Sequence, residues 1–449
     1  MTPAVAARAK GRSATLCVKV AGIYIAALVV PFLLENAADL FKVRPYDYRG
    51  RWQYAIFEAG YWYQRITTAG PRKPRTHFVR IVTIREGKEP AEVRLLNVCS
   101  QRQFMARLLQ KVGSANPAVI VVDKWYAPDT CAADDPGTEE LRHALRTISQ
   151  RIPIIVALDA YDEVELRRAQ PGVLAELVKK GFKSSELILK PALALEEGKP
   201  SAGIGYGLAA LNYDTRKIPL SWPTYNSFKE VGRERPRMLA TLAVAAAAKY
   251  DPDFSARGPF GELGTKGRHP FTNFLTEEQM RPYSAIDLMC NQEHEKQFNW
   301  RLCQADEGNK NYLDALRSRI VIIGEVAPDQ DFHETAVGEL PGVVLQANYV
   351  ESLLDDRYLR PVAAWIQFLV SLIWFAIVEL IFQRFSQSPE RALFWALCSS
   401  GIVALLFYYF AVVLLGYYLV LWPVGLLAVG FRYCSLRLPK VERQEKTNR

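Results

Sequence analysis

The sequence predicts an extracytoplasmic α/β domain with a mainly parallel sheet, together with an α-helical membrane region of one N-terminal and three C-terminal transmembrane helices. Three observations carry this expectation. Apolar runs that do not alternate recur between helix-patterned segments, from Phe78 to Ile84, Ala118 to Asp123, Ile152 to Leu158 and Arg319 to Gly324, as strands covered on both faces of a parallel sheet read. Four further spans, lying in three apolar stretches, are each long enough to cross about 30 Å of hydrocarbon. Of the net charge of +9, eight positive charges sit in three short pieces beside those stretches, at 1–15, 384–391 and 432–449, so the large middle is nearly neutral and a nucleic-acid partner is not expected.

In chain order, residues 1–15 carry Arg8, Lys10 and Arg12 without an acid and read as a cytoplasmic N-terminus. Residues 16–34 (LCVKVAGIYIAALVVPFLL) form the first expected membrane helix, with Lys19 close enough to one end to snorkel. A signal peptide shares the basic start and apolar core, but this stretch is long for one and no A-x-A site follows. Residues 35–361 form the exported domain. Helices are then expected over 362–383, 392–412 and 414–434, the last two joined by a tight turn around Gly416-Tyr417-Tyr418, with no charged residue from Ala392 to Phe431. Glu379 reads as an interfacial carboxylate near Arg384. Six Lys and Arg from Arg432 onward, against none in the preceding turn, place the basic tail 435–449 inside. Four spans place the N-terminus inside too.

Cys17, Cys398 and Cys434 fall in or beside these spans, which leaves Cys99, Cys131, Cys290 and Cys303 in the exported region. An even number in an oxidising compartment implies up to two disulfides. Three pairings exist; Cys99 with Cys131 is favoured because both follow successive strands at one sheet edge, and Cys290 with Cys303 because they close a short polar loop. The competing reading is a metal site at Cys290, His294 and Cys303, which lacks a fourth ligand.

Within the exported region each strand is followed by a helix: Arg102 to Val112 after the first, Glu139 to Ser149 after the second. Ala240 to Ala248 is a further, alanine-rich helix, and no internal repeat divides the region. These segments resemble a known family. The order of one membrane helix, an exported α/β region and three helices, with SRIVIIG (Ser318 to Gly324), Asp331, Thr335, LPGVVLQAN (Leu340 to Asn348) and SLL (Ser352 to Leu354), is similar to the second type of CHASE domain, a bacterial sensory extracellular domain associated with cyclases and histidine kinases. RQFMARLL from Arg102, VIVVD ending at Asp123, and LNYDTRKIPL (Leu211 to Leu220) support it. The resemblance covers about residues 16–434. It departs where the family ends its first strand in aspartate, since this chain has Ile84-Arg85, and in the insertion carrying Cys290 and Cys303. Family members commonly continue into a kinase or cyclase; with only a short basic segment after the last span, the expectation is a sensor that signals through a separate protein.

Catalytic chemistry finds little support. Gly203-x-Gly205-x-Gly207 lacks the last glycine of a dinucleotide fingerprint and reads as turn glycines, and neither a Walker sequence nor a G-x-S-x-G elbow occurs. His77, His143, His269, His294 and His333 are scattered without metal spacing. The candidate ligand-binding residues are Asp123, Arg216, Asp331 and His333. Asp123 ends a strand, and ligands of open α/β sheets bind beyond the carboxyl ends of strands; the alternative is an acid that caps its loop or pairs with Lys124 or an arginine. Arg216 with Asp214 is either a turn salt bridge or a pocket wall. Asp331 follows the RIVIIG strand by the same logic, with His333 two residues on. No catalytic residue, cofactor or metal is expected. The expected partners are the bacterial inner membrane, an unknown small molecule, a separate signalling or envelope protein, and a second copy in a homo-oligomer; the rival functions are an envelope scaffold and a periplasmic enzyme.

Overall fold

Valine and isoleucine dominate the runs Val79–Arg85 (β1), Val119–Asp123 (β2), Ile154–Leu158 (β3) and Ile320–Val326, and β-branched side chains pack best on a pleated sheet. The structure, a computed structural model, describes residues 77–85, 98–132, 134–193, 195–196, 199–200, 203–211, 217–254, 268–270, 275–289, 311–326, 331–335, 338–355, 360–361, 364–407, 417–418 and 428–435. The expected helix at 16–34, Arg216, Cys290 and Cys303 lie outside the described residues. The chain divides into two compact units, Thr67–Tyr358 and a second made of Met1–Ile66 with Leu359–Arg449.

In the first unit all these runs pair in parallel, so the domain is α/β with a mainly parallel sheet. Successive residues point to opposite faces. Val79, Ile81, Val121, Ile155 and Ile322 enter one apolar core, and Val82, Ile84, Val122, Ile154 and Ile323 the other. Helices Val98–Ser114 (α1) and Pro136–Ser149 (α2), which follow β1 and β2, cover the second face through Leu108, Leu109, Leu141 and Ile148. Asp135 starts α2 by accepting the backbone N–H of Thr138 at 2.7 Å, and Pro136 fits the first turn, where no N–H is needed. Leu242–Tyr250 (α3) and Gly342–Leu354 (α4) cover the first face.

The glycine cluster is not a set of turns. Ile204–Leu208 is an edge strand paired with β3. A Cβ on Gly207 would lie 2.5 Å from the Leu242 Cα, so α3 packs backbone against strand there, while Gly203 alone holds a left-handed turn at φ +85°. We number the other strands of the two main sheets and of the hairpin at the site in chain order: Ala160–Tyr161 (β4), Leu187–Leu189 (β5), Ile204–Leu208 (β6), Ser221–Tyr225 (β7), Arg237–Ala240 (β8), Tyr283–Ser284 (β9), Ile320–Val326 (β10), Phe332–Thr335 (β11) and Gly338–Pro341 (β12). The central sheet runs β9-β1-β10-β2-β3-β6, and β8-β7-β5-β4 form a second, mixed sheet. The late strand β10 is thus inserted between β1 and β2. Its helix α4 lies on one face while α1 and α2 lie on the other, so the connections diverge at the carboxyl ends of β10 and β2.

The second unit contains Ala364–Arg384 (α5), Pro389–Phe407 (α6) and a helical segment at 428–435. Trp374, Val378 and Phe382 pack with Ala392, Ala396 and Val429, and the Trp374 indole donates to the Ser400 hydroxyl at 3.0 Å. Glu379 does not pair with Arg384: its two carboxylate oxygens accept from Nε and Nη2 of Arg432, both at 2.9 Å. Arg432 is 7% exposed, so Glu379→Ala would strand a buried guanidinium. A loss of about 3 kcal/mol is expected in thermal unfolding of the detergent-solubilised protein, and the double variant Glu379→Leu/Arg432→Leu should recover most of it. Tyr417–Tyr418, where a bare turn is expected, forms a short parallel pair with Arg360–Pro361. Among the described residues no helix is long and apolar enough to cross a membrane.

Candidate functional site

Asp123 is the last residue of β2, opposite Gly324 of β10. A Cβ on Gly324 would meet Val343 at 2.6 Å, so α4 sits close on the end of β10. Asp331 follows that strand. Its carbonyl accepts the Gly342 N–H at 2.9 Å, and both carboxylate oxygens lie 2.5 Å from where a Gly342 Cβ would be, placing the carboxylate over the first turn of α4. The positive end of the helix dipole favours a negative charge there. His333, on β11, places Nε2 3.2 Å from Asp331 Oδ1. The Asp123 Cβ lies 3.5 Å from where a Gly324 Cβ would be, beside Val343 at the start of α4, and both Asp331 and His333 are near enough to act on its charge, so the structure brings the three together.

Burial pushes the Asp123 carboxyl up to about 7; the negative charge of Asp331 adds to this and His333 opposes it. Lys124 does not pair with Asp123. Its ammonium goes to the Glu325 carboxylate and to Gln101 Oε1 at 3.2 Å, with the Tyr126 ring 5.8 Å away. One residue further along each strand end, the polar cluster is thus held by a separate ion pair that leaves Asp123 to face Asp331 and His333.

The loop after β2 is tied down at several points. Cys99, the second residue of α1, is joined to Cys131 with Cα atoms 5.8 Å apart, the first of the two pairings favoured from the sequence. Arg102, 0% exposed, donates to the Thr138 hydroxyl at 2.6 Å and to the Ala127 carbonyl at 2.5 Å. Sequence reasoning includes Arg102 only as the first residue of a motif; its role depends on partners 25 and 36 positions away. Trp125 donates its indole N–H to the Pro191 carbonyl at 3.1 Å. Lys190 bridges Asp159 and Glu165, each at 2.7 Å, and stands 5.0 Å from the Tyr161 ring, closing the neighbouring loop after β3. Among the described residues, the close set of metal-type donors is Cys99, Cys131 and Asp135, and its sulfurs are bonded to each other and offer no thiolate.

Together these features define a doubly wound α/β domain that presents carboxyl and imidazole groups where strand connections diverge, the place at which such folds bind small molecules. The family model described as the CHASE2 domain matches residues 24–381, and the chain belongs to that family of extracellular sensory domains. No curated protein and no solved structure matches it.

Proposed function

We propose that this chain is a membrane-anchored sensor whose α/β domain lies in the periplasm of a bacterium and binds a small molecule at Asp123, Asp331 and His333. The observation that carries the reading is the gathering of these three residues at the divergence point of the sheet. Two carboxyl groups and an imidazole suit a ligand that presents hydrogen-bond donors or positive charge. Arg216 belongs to the proposal as a further ligand contact, on the ground of the sequence alone. The reading is non-catalytic and includes a protein partner that receives the state of the domain.

Anchoring is supported by what α5 and α6 expose. Trp365, Phe368, Leu369, Ile373 and Leu380 on α5, and Phe394, Trp395, Ile402 and Leu406 on α6, each leave a third or more of their surface uncovered. Apolar exposure on this scale, on helices of 21 and 19 residues, is what hydrocarbon would cover. Arg384, Glu390 and Arg391 collect at the turn between them, and Glu379 near that turn holds Arg432 just ahead of the basic tail. In this reading the turn and the tail share one side, and their positive charges support its being the cytoplasmic one.

The test uses the full-length protein in lipid nanodiscs against a library of small polar metabolites. At least one compound should raise the Tm in the wild type and not in Asp331→Asn or Arg216→Ala. A stable co-purifying protein with no compound producing a shift would replace the sensor by a scaffold. A reporter active only in the periplasm that works when fused after Arg449 would overturn the orientation.

A further inference from the structure

The loop from Lys124 to Cys131 joins the candidate site to the disulfide, and its closed form leaves polar groups unsatisfied. Among the described residues, Nε of Arg102 and the hydroxyl of Tyr126 are buried without a hydrogen-bond partner. Tyr126 is 8% exposed and lines a small apolar cavity with Val122, Leu141, Val156 and Leu193. Leaving such donors dry costs free energy that opening the loop to water would recover. The closed form is held against this by the Cys99–Cys131 bond, the Arg102 bond to Ala127 and the Leu193 N–H to Tyr126 carbonyl bond at 2.8 Å. Of these, only the disulfide can be switched by chemistry.

Both cysteines are half-buried, so a small thiol can reach them. We propose that the Cys99–Cys131 disulfide is a thiol-responsive latch that sets whether the Lys124–Cys131 loop is closed over the end of β2, and thereby the state of the site at Asp123. The inference rests on the reading of this unit as an exported sensor and names a regulator of the same site, a low-molecular-weight thiol. The first thiolate attacks Sγ of Cys131, forming a mixed disulfide, and Cys99 leaves as the thiolate, its charge favoured by the first turn of α1. Asp135, whose carboxylate lies within 4.8 Å of both sulfurs, opposes that charge but is committed to Thr138. A second thiolate then attacks the sulfur of the bound thiol and releases Cys131. Two electrons and two protons pass to the cysteines, and two thiols become one small-molecule disulfide. Oxidation reverses the step.

The experiment treats the full-length protein in nanodiscs with millimolar reduced glutathione, without denaturant, then alkylates and maps it by mass. Both Cys99 and Cys131 should be labelled while the fold persists. In parallel, hydrogen exchange should rise about tenfold over residues 123–131 and stay unchanged over β10. The Cys99→Ser/Cys131→Ser variant should show the open pattern without thiol; if it does not fold, the thiol-treated wild type alone decides. A disulfide that resists glutathione until the protein unfolds overturns the latch, and so does reduction with unchanged exchange at 123–131. Neither result touches the sensor reading, which stands or falls on the ligand screen and the orientation of the chain.

Discussion

Glu351→Ala is expected to lower the stability of the α/β unit by about 3–5 kcal/mol, which corresponds to a fall in Tm of roughly 10 °C for a unit of this size. Glu351 lies near the C-terminal end of α4, where the helix dipole disfavours a negative charge, and it is 0% exposed. What offsets both penalties is its use as an acceptor. Oε1 takes the N–H groups of Phe78 at 2.9 Å and Val79 at 2.8 Å, and Oε2 takes that of His77 at 3.2 Å. These groups lie at the start of β1, where its ladder with β10 begins at Val79 and that with β9 only at Val82, and the carboxylate supplies their acceptor there. Removing it leaves three N–H groups without an acceptor, one of them fully buried. Glu351→Gln separates the two oxygens: a side-chain carbonyl can still serve Phe78 and Val79 while His77 is dropped, and a loss of only about 1–2 kcal/mol is expected. Urea unfolding of both variants checks the pair. An alanine variant within about 1 kcal/mol of the wild type would show that water or a shifted β1 replaces the carboxylate.

Glu351 also shows which parts of this molecule can be read in advance. The strands β1, β2, β3 and β10 stand out as unbroken apolar runs, and their observed ends fall within two residues of the expected ones. A strand buried on both faces leaves that mark on its own residues. β6 leaves none, because Gly207 answers to the backbone of α3, some 35 residues later, and Gly205 to the Ile155 side chain of β3. Strands β4 and β5 are only two and three residues long, and β7, though as long as β2 and β3, reads Ser-Trp-Pro-Thr-Tyr with no apolar run to detect. The same division holds at the site. Asp123 and Asp331 are found by position, since each follows an apolar run, and His333 comes with Asp331. Arg102, Glu351 and the Arg432 partner of Glu379 are polar residues in or beside apolar helices, and only contacts far along the chain explain them. Sequence marks the place where strands end; it does not mark which distant group satisfies a buried charge.

Asp123→Asn is expected to stabilise the protein at pH 8 and to leave it unchanged near pH 4. With its carboxyl raised to about 7 in the folded chain, against an ordinary value of 3.8, Asp123 holds its proton more tightly folded than unfolded. Its contribution is therefore fully present below about pH 4, declines as pH rises toward 7, and is gone above that. A difference of three pH units corresponds to about 4 kcal/mol, and because Asp123 keeps some contact with solvent the expected loss is on the order of 2 kcal/mol. Asparagine carries no proton to lose, so the gap between variant and wild type should open across this window. Asp331→Asn removes the second cause of the shift and should move the window down in pH, whereas His333→Ala removes the opposing charge and should move it up. Urea unfolding from pH 4 to pH 8 reads all three, and a gap between Asp123→Asn and wild type that does not change with pH would show that the carboxyl is not buried as the structure has it. The same titration bears on binding. Asp123 gains its charge near neutrality, so a cationic ligand would meet two carboxylates above pH 7 and one below, and its affinity should rise across the interval in which the empty protein loses stability.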